Sequence, residues 1–184
     1  MTPSPHKKNH SGRLRPRSSD LRTHNMALIA LLASLALIFS YVEAIIPYNP
    51  GIPGIKLGIA NIVTVIALYE LSAKHAAAVN GIRIVVAGLL FNGLFGMIYS
   101  LAGATCSLIG MILLKKTDKF SIAGVSMAGG VLNNLGQLLI AALLLEDVRI
   151  FMYFPVLLIS GTVCGIVIGL AAHVIRQRIH SAIR

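Results

Sequence analysis

The chain has 184 residues, of which 56% are hydrophobic and only 12% are charged, and its mean hydropathy is +0.81. This composition excludes a soluble globular protein, because a chain of this size needs more polar residues to cover its surface. The net charge of +10 does not indicate nucleic-acid binding, because the basic residues occupy the N-terminal tail and short breaks between apolar runs, without stacking aromatics.

The first 25 residues are rich in Ser, Pro, His, Arg and Lys and contain no apolar run. We expect residues 1–25 to form a disordered basic cytoplasmic tail, and residues 26–184 to form a transmembrane domain. Residues 27–46 are apolar and long enough to span a bilayer, and no small-residue cleavage site follows them. We interpret this run as an uncleaved first helix. Met26 opens it, so translation could start at Met1 or at Met26.

Five further apolar runs follow, and each is separated from the next by helix-breaking or charged residues. Prolines and glycines in residues 47–54 end the first span, and lysines, amides or acidic residues mark the later breaks. The predicted spans after the first are residues 57–71, 76–91, 97–114, 122–145 and 152–175. The sequence therefore predicts an all-α integral membrane fold, a bundle of six transmembrane helices.

The distribution of cations predicts the orientation of this bundle. With the tail in the cytoplasm, 13 Lys and Arg residues fall on the cytoplasmic side and only two, Lys56 and Arg149, on the external side. Loops rich in Lys and Arg remain in the cytoplasm during insertion. We therefore expect both termini in the cytoplasm of a multi-pass plasma-membrane protein.

Polar side chains inside the spans are the candidates for function, because each is expensive to place in hydrocarbon. Arg83 falls within the third span, and Asn80 precedes it on the same helix face. The fifth span carries three amides at similar spacing, and other polar residues lie toward the outer ends of their helices. The predicted ligand-binding residues are Arg83, Asn80, Asn61, Lys56, Tyr99, Asn133, Asn134 and Gln137.

Each of these residues also has a structural interpretation. Amides in membrane helices commonly join neighbouring helices by hydrogen bonds. Arg83 could form a buried ion pair with Glu43 or Glu70, and Lys56 could extend its ammonium group to the membrane interface. Without an ion pair, Arg83 would be available to an anionic group.

Small residues predict close helix packing. Gly161, Gly165 and Gly169 recur every four residues in the sixth span, and we expect them to serve internal packing. In the first span, Ala30 with Ser34, and then Ala36, Ser40 and Ala44, could face either the bundle or a partner subunit. Cys106 and Cys164 have no metal or disulfide spacing and are interpreted as small core residues.

Several activities lack their sequence signatures. The chain has no glycine-rich phosphate loop, no zinc-ligand spacing, and no paired aspartates of the kind that hold magnesium and diphosphate. We therefore predict no catalytic residues, no metal and no cofactor, which leaves binding or transport.

Four segments carry a family resemblance: residues 53–61 (PGIKLGIAN), the Arg83 helix ending in residues 89–91 (LLF), residues 99–103 (YSLAG) and residues 133–137 (NNLGQ). They resemble the Gx transporter family, whose members are often labelled heptaprenyl diphosphate synthase component I. That family is similar to the substrate-binding S components of energy-coupling factor transporters. The resemblance implies six helices, an outward-facing small-molecule site, and docking on a transmembrane coupling subunit with ATPases.

Two function classes remain open at this stage. The first is a membrane protein that binds and transports a small anionic or polar molecule, and the second is a non-catalytic membrane subunit of heptaprenyl diphosphate synthase. The expected partners are the lipid bilayer and a small-molecule ligand, with either the energy-coupling module or a soluble prenyl synthase subunit. We favour transport, because a simple anchor would need no polar interior.

Overall fold

A computed structural model describes residues 18–45 and 58–182 of the chain, and these residues form helices joined by short turns. The helices are α1 (Ser18–Ile45), α2 (Asn61–Glu70), α3 (Ala73–Ala87), α4 (Gly93–Lys116), α5 (Ile122–Leu145) and α6 (Phe154–Ala182). A π-helical turn (Gly88–Asn92) joins α3 to α4, and a 3₁₀ turn (Val148–Tyr153) precedes α6. The predicted all-helical membrane fold is confirmed.

The predicted count of six membrane spans is not confirmed. Four helical stretches are long and apolar enough to cross a membrane: Asn25–Ile45, Ala73–Lys116, Ile122–Leu145 and Val148–Ser181. The predicted second span is only the ten residues of α2, which rise about 15 Å, roughly half the hydrocarbon thickness. Helix α1 begins at Ser18, so its first turns fall in the segment predicted as a tail. The rest of that tail and the predicted break at 47–54 lie outside the described residues.

The stretch Ala73–Lys116 contains a sharp change of direction. Gly93 has a φ of 70° and a ψ of 177°, a conformation that favours glycine and cannot continue a helix. A Cβ atom added to Gly88 would lie 2.7 Å from the Cβ of Met97. In a straight helix, residues nine apart are separated by about 13 Å along the axis. Helices α3 and α4 therefore fold back on each other at Gly93.

Helices α4, α5 and α6 pack through glycines. A Cβ on Gly161 would lie 2.9 Å from the carbonyl oxygen of Gly130, and one on Gly165 would lie 2.6 Å from the Cα of Met127. Gly169 approaches Ala123 in the same way, at 2.5 Å from its Cα. These three glycines of α6 therefore lie directly against the backbone of α5.

Helix α2 is short and is the most buried helix of the bundle. Val63, Val65 and Ala67 are fully buried in the core, where they meet Val79 of α3 and Val125 of α5. By contrast, α1 and α3–α6 expose many large apolar side chains, as membrane-facing helices do. The protein therefore contacts the lipid bilayer through its outer helices and holds α2 inside.

The C-terminal end of α2 is fixed by charged residues. Arg176 of α6 donates from Nε to Oε1 of Glu70 at 2.8 Å, and Lys115 of α4 donates from Nζ to the carbonyl oxygen of Leu68 at 2.5 Å. Both cations also lie over the ring of Tyr69, with Lys115 Nζ at 4.7 Å and Arg176 Cζ at 5.6 Å from its centroid. We call Tyr69, Glu70, Lys115 and Arg176 the charged cluster.

Candidate functional site

A polar cavity of about 130 Å³ lies at the opposite, N-terminal end of α2. All six helices or the turns beside them contribute to its wall, so the cavity is a product of the whole bundle. Its polar lining residues are Ser40, Glu43, Asn61, Asn80, Arg83, Asn92, Ser100, Asn133, Asn134, Gln137 and Cys164. Most of the other lining residues are glycines and alanines, whose small side chains leave the cavity open.

Arg83 of α3 brings a positive charge into this cavity. Its Nε and Nη2 atoms both donate to Oδ1 of Asn80, at 3.1 and 2.7 Å, and its Nη1 donates to Oγ of Ser40 at 3.2 Å. These bonds use three of the five N–H groups that a guanidinium carries. Both acceptor atoms, Asn80 Oδ1 and Ser40 Oγ, are neutral, so the hydrogen bonds position the positive charge without neutralising it.

Glu43 of α1 lines the same cavity but bonds elsewhere. Its Oε1 accepts hydrogen bonds from the backbone N–H groups of Gly58 and Ile59, the latter at 3.1 Å. Gly58 has a φ of 71°, so the carboxylate fixes a tight turn that leads into α2. Glu43 is nevertheless close enough to Arg83 to act on it electrostatically.

The ion pairs considered for Arg83 are not formed. Among the described residues no carboxylate pairs with Arg83, since Glu43 binds the turn before α2 and Glu70 pairs with Arg176. Glu70 also lies 3.5 Å from Nε2 of His180. The described residues therefore show no ion pair at Arg83.

Helix α5 supplies an amide wall in which the three amides differ. Asn134 is buried and donates from Nδ2 to the carbonyl oxygen of Leu157 in α6 at 2.8 Å, so it joins two helices. Asn133 and Gln137 make no side-chain hydrogen bond to any other part of the described chain. Gly103 of α4 makes room for Asn133, because a Cβ there would lie 2.8 Å from Asn133 Oδ1. Two amides are thus available to a ligand.

The cavity gathers most of the residues predicted from the sequence. Six of the eight line it: Arg83, Asn80, Asn61, Asn133, Asn134 and Gln137. Tyr99 is part-buried on α4 but does not line the cavity, and Lys56 lies outside the described residues. Whether any of them binds a ligand stays a prediction.

Five polar residues of the lining were not among the predicted ligand-binding residues: Ser40, Glu43, Asn92, Ser100 and Cys164. Ser40 had been interpreted only as a small packing residue. Its position three residues before Glu43 places both side chains on one face of α1, and that spacing is the signal that identifies them together.

The chemistry of this wall is hydrogen bonding around two opposite charges. Within residues 18–45 and 58–182, no group of three or more His, Cys, Asp or Glu side chains is placed to hold a metal ion. Both cysteines are free, and Cys164, interpreted as a small core residue, lines the cavity, whereas Cys106 packs near Gly136. The arrangement is suited to binding a polar molecule.

Comparison with known proteins identifies the family. The family described as heptaprenyl diphosphate synthase component I matches residues 32–175, which is well over half of the chain and includes every residue of the cavity wall. Searches of curated proteins and of solved structures gave no significant match. The chain is therefore a multi-pass membrane protein that belongs to the heptaprenyl diphosphate synthase component I family, which is also called the Gx transporter family.

Proposed function

We propose that this protein is a substrate-binding transport protein of the membrane, similar to the S components of energy-coupling factor transporters, and that it binds a small anionic or polar molecule in the polar cavity. The observation that carries the proposal is the unpaired guanidinium of Arg83 in a cavity rich in amides. Asn80 positions Arg83, while Asn61, Asn133 and Gln137 supply neutral hydrogen bonds to the ligand.

The energetic cost of Arg83 supports a binding role. A charged side chain in the middle of a membrane helix costs at least about 2.5 kcal/mol on insertion scales. A guanidinium cannot release its proton near neutral pH, so its charge must be stabilised by its surroundings. Asn80 and Ser40 stabilise it only partly, because two N–H groups remain without a described protein partner. An anionic group of a ligand would complete this coordination.

Co-purified ligand tests the proposal. Native mass spectrometry of the full chain, purified in mild detergent, should detect a small molecule bound to the wild-type protein and to a Gly81→Ala control, but not to Arg83→Met. Gly81 is a matched control because it lies on the same helix, and a Cβ added there would meet no atom within 4 Å. Equal ligand occupancy in all three proteins would contradict a binding role for Arg83.

We further propose six spans with both termini in the cytoplasm of a plasma-membrane protein. Residues 73–92 include 20 residues before the turn at Gly93, enough for about 30 Å of helix, so α3 and α4 would each cross the membrane. Helix α2, which is buried inside the bundle, would belong to the sixth crossing. The excess of cations on one side sets the orientation.

Cysteine labelling tests this topology in a variant without Cys106 and Cys164. A membrane-impermeant reagent added outside should label a cysteine placed in loop 47–54 or at Asp147, but not one at Lys116. Labelling of the Lys116 site in sealed cells would overturn the proposed orientation.

The family description also supports a second candidate, a non-catalytic membrane subunit of heptaprenyl diphosphate synthase. We expect the isolated chain to lack prenyl transfer activity, because the described residues offer no cluster of carboxylates that could hold magnesium and diphosphate. Incubation of the purified protein with farnesyl diphosphate, isopentenyl diphosphate and Mg²⁺ should give no longer product. Elongation without a partner subunit would contradict this expectation, and elongation only with a soluble synthase subunit would favour the second candidate.

For the transport role, docking on a transmembrane coupling subunit with ATPases would use a small-residue surface. On α1, Ala36 and Ser40 of the second seam are buried against the bundle, and its exposed residue Ala44 lines the polar cavity, whereas Ala30 and Ser34 of the first seam are both exposed. Ser34 donates from Oγ to the carbonyl oxygen of Ala30 at 2.8 Å, so its hydroxyl is satisfied within the helix. Of the two seams considered, the one formed by Ala30 and Ser34 is therefore available to a partner.

A further inference from the structure

We infer that the ligand of the polar cavity is a compact, non-aromatic zwitterion of amino-acid size, with its carboxylate at Arg83 and its ammonium group at Glu43. This inference rests on the proposed binding function and specifies its substrate class. It follows from the charges of the wall, from the unused hydrogen-bonding atoms of both charged residues, and from the composition and volume of the cavity.

The two opposite charges lie on one side of the cavity. Nη1 of Arg83 bonds Oγ of Ser40, and Ser40 and Glu43 are three residues apart on α1, which places their Cβ atoms about 5–6 Å from each other. The two charges are close enough to interact but do not form an ion pair. A molecule with opposite charges a few bonds apart can contact both residues at once.

Each charged residue retains atoms for such a ligand. Arg83 has two N–H groups without a described partner, which suits a carboxylate. The two backbone hydrogen bonds to Glu43 both end on Oε1, so Oε2 is left for an N–H donor. The backbone N–H groups of Gly58 and Ile59 hold the carboxylate in place, so it does not need to collapse onto Arg83.

Charge balance distinguishes a zwitterion from a singly charged ligand. In the low dielectric of a membrane protein, an unmatched charge loses far more hydration energy than it recovers from neutral groups. A monoanion would neutralise Arg83 but would be repelled by the negative charge of Glu43. A monocation would neutralise Glu43 but would be repelled by Arg83. A zwitterion matches both groups and adds no net charge to the bundle.

The wall also limits the size and shape of the ligand. A cavity of about 130 Å³ is similar in volume to the engineered apolar cavity of about 150 Å³ that binds benzene, so it matches a molecule of the size of a small amino acid. Among the described residues, no aromatic side chain lines the cavity, and Ile168 is the only large apolar side chain in the lining. Such a wall offers no ring-stacking surface for a flavin or nucleobase and no apolar slot for a prenyl chain.

A matched series of ligands tests the inference. Thermal unfolding of the purified full chain in detergent should be measured with glycine, L-alanine and L-serine, and with L-lactate and L-alaninamide as matched analogues of alanine. L-lactate has the carboxylate without the ammonium group, and L-alaninamide has the ammonium group without the carboxylate. We expect at least one amino acid to raise the unfolding temperature, and L-alanine to bind at least tenfold more tightly than both analogues.

Glu43→Gln provides the matched variant. Glutamine keeps an Oε1 acceptor for the N–H groups of Gly58 and Ile59 but removes the charge, so the turn before α2 is preserved. We expect the preference for L-alanine over L-lactate to fall at least tenfold in Glu43→Gln and to remain unchanged in Gly81→Ala.

The possible failures are distinguishable. Equal or tighter binding of L-lactate, or no binding of any of the three amino acids, overturns the zwitterion inference. If native mass spectrometry then still shows a ligand that depends on Arg83, the proposed binding function stands with another substrate class. If amino-acid binding persists unchanged in Arg83→Met, both the zwitterion inference and the binding role proposed for Arg83 are wrong.

Discussion

The two ends of α2 each place an arginine beside a glutamate, but they use these residues differently. At the C-terminal end, Arg176 forms a 2.8 Å ion pair with Glu70, and its guanidinium lies over Tyr69. At the N-terminal end, Arg83 bonds the neutral Asn80 and Ser40, while Glu43 binds the backbone of Gly58 and Ile59. In the charged cluster the two opposite charges pair with each other, whereas in the polar cavity they form no ion pair.

This difference shows how a binding site can be distinguished from a structural ion pair. An ion pair satisfies both partners and leaves little for a ligand, so Arg176 stabilises the contact between α2 and α6. In the cavity, the backbone of the turn before α2 holds the carboxylate, and an amide and a hydroxyl group hold the guanidinium. Each charge is therefore fixed in position while part of its hydrogen-bonding capacity remains free.

The largest expected effect comes from replacing Arg83. Arg83→Met should weaken binding of the co-purified ligand at least about 100-fold, which corresponds to about 2.8 kcal/mol. Arg83→Lys should retain charge but lose the planar fork, so we expect a loss of about tenfold. Equilibrium dialysis of the purified variants measures both changes. Arg176→Met is the control and should bind as the wild type does; equal losses in Arg83→Met and Arg176→Met would remove the distinction between the two regions.

A second expected effect concerns the wall formed by α5 and α6. In Gly165→Ala the new Cβ would lie 2.6 Å from the backbone of Met127, so the two helices must separate. Overpacking of this kind typically costs about 1–3 kcal/mol, and we expect the unfolding temperature in detergent to fall accordingly. Gly81→Ala, with no atom within 4 Å of its Cβ, should leave the unfolding temperature unchanged or higher. Similar unfolding temperatures for the two variants would show that close helix approach is not required.

The smallest expected effect lies in the charged cluster. The side chains of Arg176 and Glu70 are 38% and 22% exposed, so solvent screens their ion pair. A double-mutant cycle with Arg176→Met and Glu70→Gln should give a coupling free energy of about 0.5–1 kcal/mol that falls as salt is added. A coupling free energy that is unaffected by salt would contradict solvent screening of this ion pair.

Much of the fold could be predicted from the sequence because charged breaks bound the spans. The lysines at 115–119 and the acidic residues at 146–147 define α5, whose predicted limits match Ile122–Leu145. The start of α1 and the length of α2 could not be predicted. Helix α1 extends into polar residues that carry no apolar signal, and α2 is apolar because it is buried in the bundle rather than because it faces lipid.

The site was predictable as a set of costly polar residues but not as a geometry. Arg83 and the amides could be identified because each is expensive in a membrane helix. Tyr99 was grouped with them, yet its neighbour Ser100 lines the cavity instead. One residue corresponds to about 100° around a helix, and α4 is apolar on all sides, so its sequence does not indicate which face turns inward. The partner of Glu43 is a backbone turn, which no side-chain pattern reveals.

An experimental structure of the full chain, purified with its co-purified ligand, tests the central claim most directly. We predict density for a small molecule in the polar cavity, with a ligand oxygen within about 2.7–3.2 Å of a terminal nitrogen of Arg83. The density should be absent in Arg83→Met and present in Gly81→Ala. A ligand bound elsewhere, or a direct ion pair between Arg83 and Glu43 that closes the cavity, would contradict the account.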